Sequence, residues 1–199
     1  MASYWLARAA ARLPGVAWHR YRLVATPAAG MPARLPAGWR VAQGGPCPPE
    51  LCPPAAAGFR ARQGMTCLVV APPAGAPAGA IWLVAGPFDE DEAHLRFLPP
   101  AGWAWDTGLY VAPRARGGRA FAAIWAAARQ WLEARGLAGS MSRIADYAAP
   151  VLAAHRRMGA RDLGVVATLR AGRRVQVWGA RPARTTLDGP RALVQLPLP

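Results

Sequence analysis

The chain has 199 residues, 53% of them apolar, and a net charge of +14. That length supports one domain with a sizeable core, and the apolar share excludes a disordered polar chain. All 24 basic residues are Arg, and Lys and Asn are absent, the codon signature of a GC-rich, bacterial genome; the arginines form no run of five, so they read as a solvated surface, with binding of nucleic acid or an anionic surface the less favoured reading.

In chain order, the first segment "MASYWLARAAARLPG" places Trp5, Leu6, Ala9, Ala10 and Leu13 on one helical face, which predicts a short amphipathic helix packed on the core. Its apolar stretch before Arg8 is too short for a secretory signal, so the expectation is a cytoplasmic protein. Residues 18–26 predict a strand, 28–38 a Pro/Gly linker and 39–42 a short strand; 43–58 are loop-rich, and "PPELCPPAAAGFRAR" (48–62) could hold a short helix. Residues 63–88 carry no charge, but Pro72, Pro73, Gly75, Pro77 and Gly79 divide them. They predict two buried strands, 65–71 and 80–86, joined as a hairpin, rather than a membrane span. "AHLRFL" (93–98) is expected to continue the meander, and 103–111 to form the next strand.

Phe121, Ile124, Trp125, Ala128 and Leu132 recur at helical spacing, and Gly136 follows as a C-terminal stop, predicting a helix over 117–135. A strand over 137–144, a helix over 149–159 and two strands around "AGR" come next. The Pro/Arg-rich tail 179–199 is expected to lie extended over the body. The organisation is an N-terminal helix, strand and linker (1–38), a core (39–178) and a C-terminal extension (179–199), forming one α+β domain with a βαβ crossover. The C-terminal strands could pair with a second copy to give a homodimer.

Cys47, Cys52 and Cys67 are odd in number and have no zinc-type spacing; the first two read as loop residues and the third as a core strand residue, and no metal is expected. Trp82, Trp103 and Trp105 lie on or beside strands and read as core, with an apolar ligand wall as the minor alternative.

The segment "YVAPRARGGRAFAAIW" (110–125) joins a strand to a helix through three arginines and two glycines. A helix N-terminus exposes N–H groups and a partial positive charge. Glycines admit a ligand close to the backbone, and arginines add forked donors. The combination suits a phosphate or pyrophosphate.

This strand–turn–helix, followed by a short strand and a helix ending "HRRMGA", resembles the GCN5-related N-acetyltransferase (GNAT) superfamily. Val111, Pro113, Arg116 and Gly117 match that family's coenzyme turn; Arg119 and Phe121 stand where it usually has small residues, giving an "RGGRAF" variant. In the later helix, Ala148 and His155 stand where the family often has Asn and Tyr, and Gly159-Ala160 stand for its Gly-Phe. The resemblance spans about 39–178. It implies a mixed, mostly antiparallel sheet with splayed central parallel strands (104–111 and 138–144) and flanking helices. It also implies acyl-CoA, typically acetyl-CoA, as donor and a small-molecule or peptide amine as acceptor, joined by direct transfer in a ternary complex.

The coenzyme would then meet Leu109, Tyr110, Val111, Arg116, Gly117, Gly118, Arg119, Ala120 and Phe121. Gly108 fits a bulge or a close ligand approach, and an N–H near Leu109 or Tyr110 would face the oxyanion. For proton transfer, His155 is the candidate acid. Asp106, on the face of Gly108 and Tyr110 by alternation, is a candidate base. "FDEDEAH" (88–94) carries four of the ten acids; Glu90 and Glu92 are its candidate bases, able to attract a cationic amine. Ser142 and Arg143 could also face a cleft, with Asp146 an alternative partner for Arg143. The rival reading is a non-catalytic basic module of the same fold.

Overall fold

The structure is a computed structural model that describes residues 2–90 and 92–199. Its elements in chain order are α1 (Ala2–Ala10), β1 (Val16–Pro27), β2 (Arg40–Gln43), α2 (Pro54–Ala61), β3 (Thr66–Ala71), β4 (Gly79–Val84), β5 (Phe88–Asp89), β6 (Leu95–Leu98), β7 (Trp103–Val111), α3 (Ala120–Glu133), β8 (Gly139–Ala145), α4 (Ala149–Arg157), β9 (Arg161–Ala171), β10 (Arg174–Trp178), β11 (Arg184–Thr186) and β12 (Ala192–Gln195). The chain divides into two compact units. The first comprises Met1–Ala25, Gly86–Ala101 and Met141–Pro199, and the second Thr26–Ala85 and Gly102–Ser140.

In the first unit the strands run in the order β11-β10-β9-β1-β8, with β1, β9, β10 and β11 antiparallel to their neighbours in that series. Val24, Ile144 and Leu152 of α4 form a buried apolar cluster, joined by Ala148 and Ala160. A second, three-stranded sheet has the order β12-β6-β5, with β12 parallel to β6. The segment 93–98 therefore leaves the meander instead of continuing it. The cause lies in the turn before it. The Glu90 carboxylate is fully buried and accepts the N–H groups of Glu92 and Ala93 at 2.9 and 2.5 Å. That closes a hairpin in which Phe88 pairs with Phe97 and Asp89 with Arg96. The tail is extended, as expected, and is also hydrogen-bonded: β11 continues one sheet and β12 completes the other.

The N-terminal helix forms, but the expected face does not pack. Trp5, Leu6 and Leu13 are exposed, and Ser3 and Ala10 are buried. A polar anchor sets this orientation. Ser3 Oγ donates to Asp146 Oδ2 at 2.9 Å, and Arg20 Nη1 reaches the same oxygen at 2.8 Å.

In the second unit the antiparallel order is β7-β4-β3-β2. The β3–β4 hairpin explains the uncharged stretch, and among the described residues no helix is long and apolar enough to cross a membrane. Helix α3 buries Ala120, Ala123, Ile124, Trp125, Ala126, Ala127, Ala128, Trp131 and Leu132. Its alanines let it lie close to the sheet: the Cβ position of Gly79 would fall 2.6 Å from Ile124 Cδ1. Trp82 and Trp105 are core, as expected. The three cysteines are free; Cys47 and Cys52 lie in the loop before α2, and Cys67 is buried on β3.

Candidate functional site

The strand-to-helix turn lies wholly in the second unit. β7 ends with Val111 opposite Gly79, and Ala112 N–H donates to Ala78 O at 2.9 Å. A single 3-10 turn, Pro113–Ala115, follows. Pro113 fixes its first residue, and Arg114 ties it to the hairpin loop through Pro77 O at 2.6 Å. Gly117 then takes φ +74°, a left-handed conformation that resists side chains, with open space at its Cβ position. This loop delays the helix, expected from 117, until Ala120.

The start of α3 has no side-chain cap, and no acidic residue lies in its first turn. The helical ladder opens with Ala123 N–H donating to Arg119 O at 2.9 Å. The amides of Ala120, Phe121 and Ala122 precede the helical ladder and have no acceptor within the helix. Arg114, Arg116, Gly117, Gly118 and Arg119 are exposed around them, whereas Ala120 is buried. Phe121 sits edge-on to Trp125, with ring centroids 6.2 Å apart. An uncapped helix start rimmed by guanidinium groups, with glycine in place of side chains, is chemically an anion cradle.

The bulge expected at Gly108 is present. Ala80 pairs with Tyr110 and Trp82 with Thr107, so one residue of β4 faces two of β7, and Gly108 has φ +61°. The extra residue has a consequence for Asp106, because it breaks the two-residue alternation. Asp106 pairs with Leu83 and Tyr110 with Ala80, and those two β4 residues point to opposite faces. Leu83 shares the face of Gly79, toward α3. Asp106 is therefore buried on the α3 face, 3% exposed, and does not share a face with Tyr110 as alternation predicted. Leu109 and Tyr110 are half-buried in the bulged strand.

A residue that sequence reading missed covers the bulge. Arg60, in the last turn of α2, lays its guanidinium over Gly108, where any Cβ would collide with it. Its Nη1 donates to Cys52 Sγ at 3.1 Å, and its Cζ stands 6.0 Å from the Trp82 ring centroid. Nothing in "PPAAAGFRAR" distinguishes Arg60 from the other arginines; only the fold brings it to the bulge.

The remaining candidates lie in the first unit. Glu90 is fully buried and paired with Arg143, besides its two backbone donors. Its carboxylate holds the turn, and that occupancy counts against work as a mobile base. Glu92 is 59% exposed at its side chain and accepts from Tyr21 Oη at 3.3 Å and Arg143 Nη2 at 3.2 Å. Asp91, between them, lies outside the described residues. Arg143 pairs with both glutamates rather than with Asp146, and its guanidinium lies 4.3 Å from the Tyr21 ring centroid. Burial pushes the Tyr21 phenol well above its usual range. His19 Nδ1 is 3.0 Å from Tyr21 Oη. If the phenol gives its one proton to Glu92, the imidazole must donate to the phenol. Burial also depresses His19, against the opposing charge of Glu92. These groups line a cavity of about 390 Å3.

His155, in α4, is 3% exposed, and burial lowers its pKa to about 4. It is neutral at pH 7, so it holds no ionising proton to give at that pH. Ser142 is buried on β8, and its hydroxyl has no hydrogen-bond partner among the described residues.

No family model matches the chain, and no curated protein matches it. Solved structures do. A protein from Novosphingobium aromaticivorans, named as an acetyltransferase of the GNAT family, matches with a TM-score of 0.52 at 19% identity, over 80% of this chain and 68% of its own. A tandem GNAT protein of the clavulanic acid biosynthesis pathway matches with a TM-score of 0.51 at 15% identity, over 80% of this chain and 54% of its own. A conserved protein of unknown function from Staphylococcus epidermidis has a TM-score of 0.51 at 10% identity, over 79% of this chain and 63% of its own. The chain thus spans only part of each neighbour's length. It has the GNAT fold: α+β, with a mostly antiparallel sheet and flanking helices.

Proposed function

We propose that the chain is an acyl-CoA-dependent N-acyltransferase. The observation that carries this reading is the uncapped start of α3, with Gly117 in a left-handed turn and exposed Arg114, Arg116 and Arg119 around it. The fit to a diphosphate is chemical. Converging N–H donors, a helix dipole and guanidinium groups all favour an anion, and no acid in the first turn opposes one. Acyl-CoA supplies the activated thioester acyl group.

The residues of this chain would divide the work. Gly117, Gly118, Arg119 and Ala120 hold the diphosphate through backbone N–H groups, and Arg116 adds charge. Val111 and the bulged backbone of Leu109 and Tyr110 line the path of the coenzyme arm. Phe121 supports the helix start by packing on Trp125. In the first unit, Glu92 is the carboxylate best suited to attract a cationic amine, because it is exposed at the wall of the 390 Å3 cavity. The acceptor amine would attack in a ternary complex, with orientation supplying much of the rate. His155, Asp106 and Glu90 are buried, which favours packing and positioning roles for them in this scheme.

Calorimetric titration with acetyl-CoA tests the reading. Saturable binding in the micromolar range is expected, with weakening as salt rises. Absence of binding at millimolar ligand contradicts it and leaves the basic-module reading in its place, for which steep salt-dependent binding of nucleic acid would be the mark.

A further inference from the structure

On the sheet face of the second unit opposite α3, a cavity of about 520 Å3 is walled by Met65, Cys67 and Trp82 and by Ala57, Gly58 and Ala61 of α2. Its lining holds no carboxylate, so an ammonium group has no partner there. The indole N–H of Trp82 is itself buried, without an acceptor among the described residues.

The bulge of β7 adjoins this cavity. Trp82 pairs with Thr107, the residue before Gly108. Arg60 stands between the two, over Gly108 and beside the Trp82 ring. It is half-buried, and none of the ion pairs among the described residues includes it. A thiol sulfur and an indole face are its contacts here. Both are weak acceptors, so the five-donor guanidinium keeps capacity for a harder oxygen. An apolar cavity with a guanidinium beside its Trp82 wall fits a ligand with a carbonyl oxygen at one end and a hydrocarbon chain at the other.

We propose that this cavity receives the acyl chain of the donor thioester, with Arg60 binding the thioester carbonyl oxygen, so that the preferred donor carries a medium-length acyl group rather than acetyl. The proposal rests on the acyltransferase reading above and narrows it. An acetyl methyl leaves a space of this size almost empty, whereas each methylene buried in it raises affinity about fourfold.

The test is calorimetric comparison of acetyl-CoA and octanoyl-CoA on the full chain, unchanged and as Gly58→Leu, which puts a side chain into the cavity from α2. Octanoyl-CoA is expected to bind at least ~10-fold more tightly than acetyl-CoA, and Gly58→Leu to reduce that ratio to about threefold or less. Ala57→Phe serves if Gly58→Leu does not fold, and is expected to give the same collapse. Equal affinities for the two thioesters, or a ratio that survives the filled cavity, overturn the acyl-chain assignment and leave the acyltransferase reading standing. Failure of both thioesters to bind overturns both.

Discussion

The two units use arginine differently. In the first, several guanidinium groups are matched by carboxylates: Arg20 with Asp146, Arg22 with Asp162, Arg96 with Asp89, Arg143 with Glu90 and Glu92. In the second, Arg129–Glu133 is the one such pair among the described residues. Four of its other arginines reach backbone carbonyls: Arg40 to Pro72, Arg114 to Pro77, Arg116 to Val111, Arg135 to Trp131. A carbonyl satisfies a donor without neutralising the charge. Arg114 and Arg116 therefore keep their charge, and with Arg119 they are exposed around the start of α3. A count of arginines along the sequence hides this difference, because partners decide whether a charge is spent inside the fold or offered to a ligand.

Breaking a matched pair in the first unit should have the largest effect on stability. Arg143→Met leaves the buried Glu90 carboxylate without its cation and should cost about 3–5 kcal/mol, read as a lower urea midpoint at unchanged slope. The next effect is from pH. His155 is held neutral to about pH 4 by burial, whereas in the unfolded chain it titrates near 6.5. The unfolded state alone binds the proton between those values, so stability falls as pH drops from about 6.5 to about 4 and is flat with respect to this group above and below. The loss is roughly 3 kcal/mol. Urea unfolding at pH 7 and pH 4.5 should show a smaller pH-dependent loss in His155→Leu than in the unchanged chain.

In the second unit, Gly117→Val forces a β-branched residue into a left-handed turn. It should cost about 1–2 kcal/mol of stability or of coenzyme affinity, and Gly118→Ala, where φ is not positive, should cost much less. A thermal melt and a thioester titration on each variant separate the two readouts. The smallest effect belongs to a pair that geometry alone would overrate. Arg173 and Asp188 are both 68% exposed, and Asp188→Asn should change stability by less than about 0.5 kcal/mol. A larger loss would mean that surface pairing in the first unit holds more of the fold than the comparison allows.

Much of this was legible in the sequence, and the failures have physical causes. Periodicity located α3, because Ile124, Trp125 and Leu132 must bury together, and Gly108 announced its bulge. The "RGGRAF" turn marked the approach to the helix but set its start at 117, ahead of Ala120 where it begins. Alternation failed at Asp106 because a bulge reverses the facing of everything beyond it, and a pattern of period two carries no mark of the extra residue. The N-terminal helix faced the wrong way because Ser3 and its carboxylate partner outweighed the apolar stripe of Trp5 and Leu6, an interaction across 143 positions. Glu90 looked like a free acid in an acidic run. Its burial depends on Arg143, which arrives from 53 residues away. Arg60 was invisible for the same reason.

The account turns on whether the open amides at the start of α3 grip the coenzyme diphosphate, and amide NMR during a coenzyme A titration reads those amides one by one. The largest shifts should fall on Gly117, Gly118, Arg119 and Ala120, and pantetheine, which lacks the diphosphate, should leave them in place. Saturation of the protein with coenzyme A while these four signals stay fixed would contradict the account.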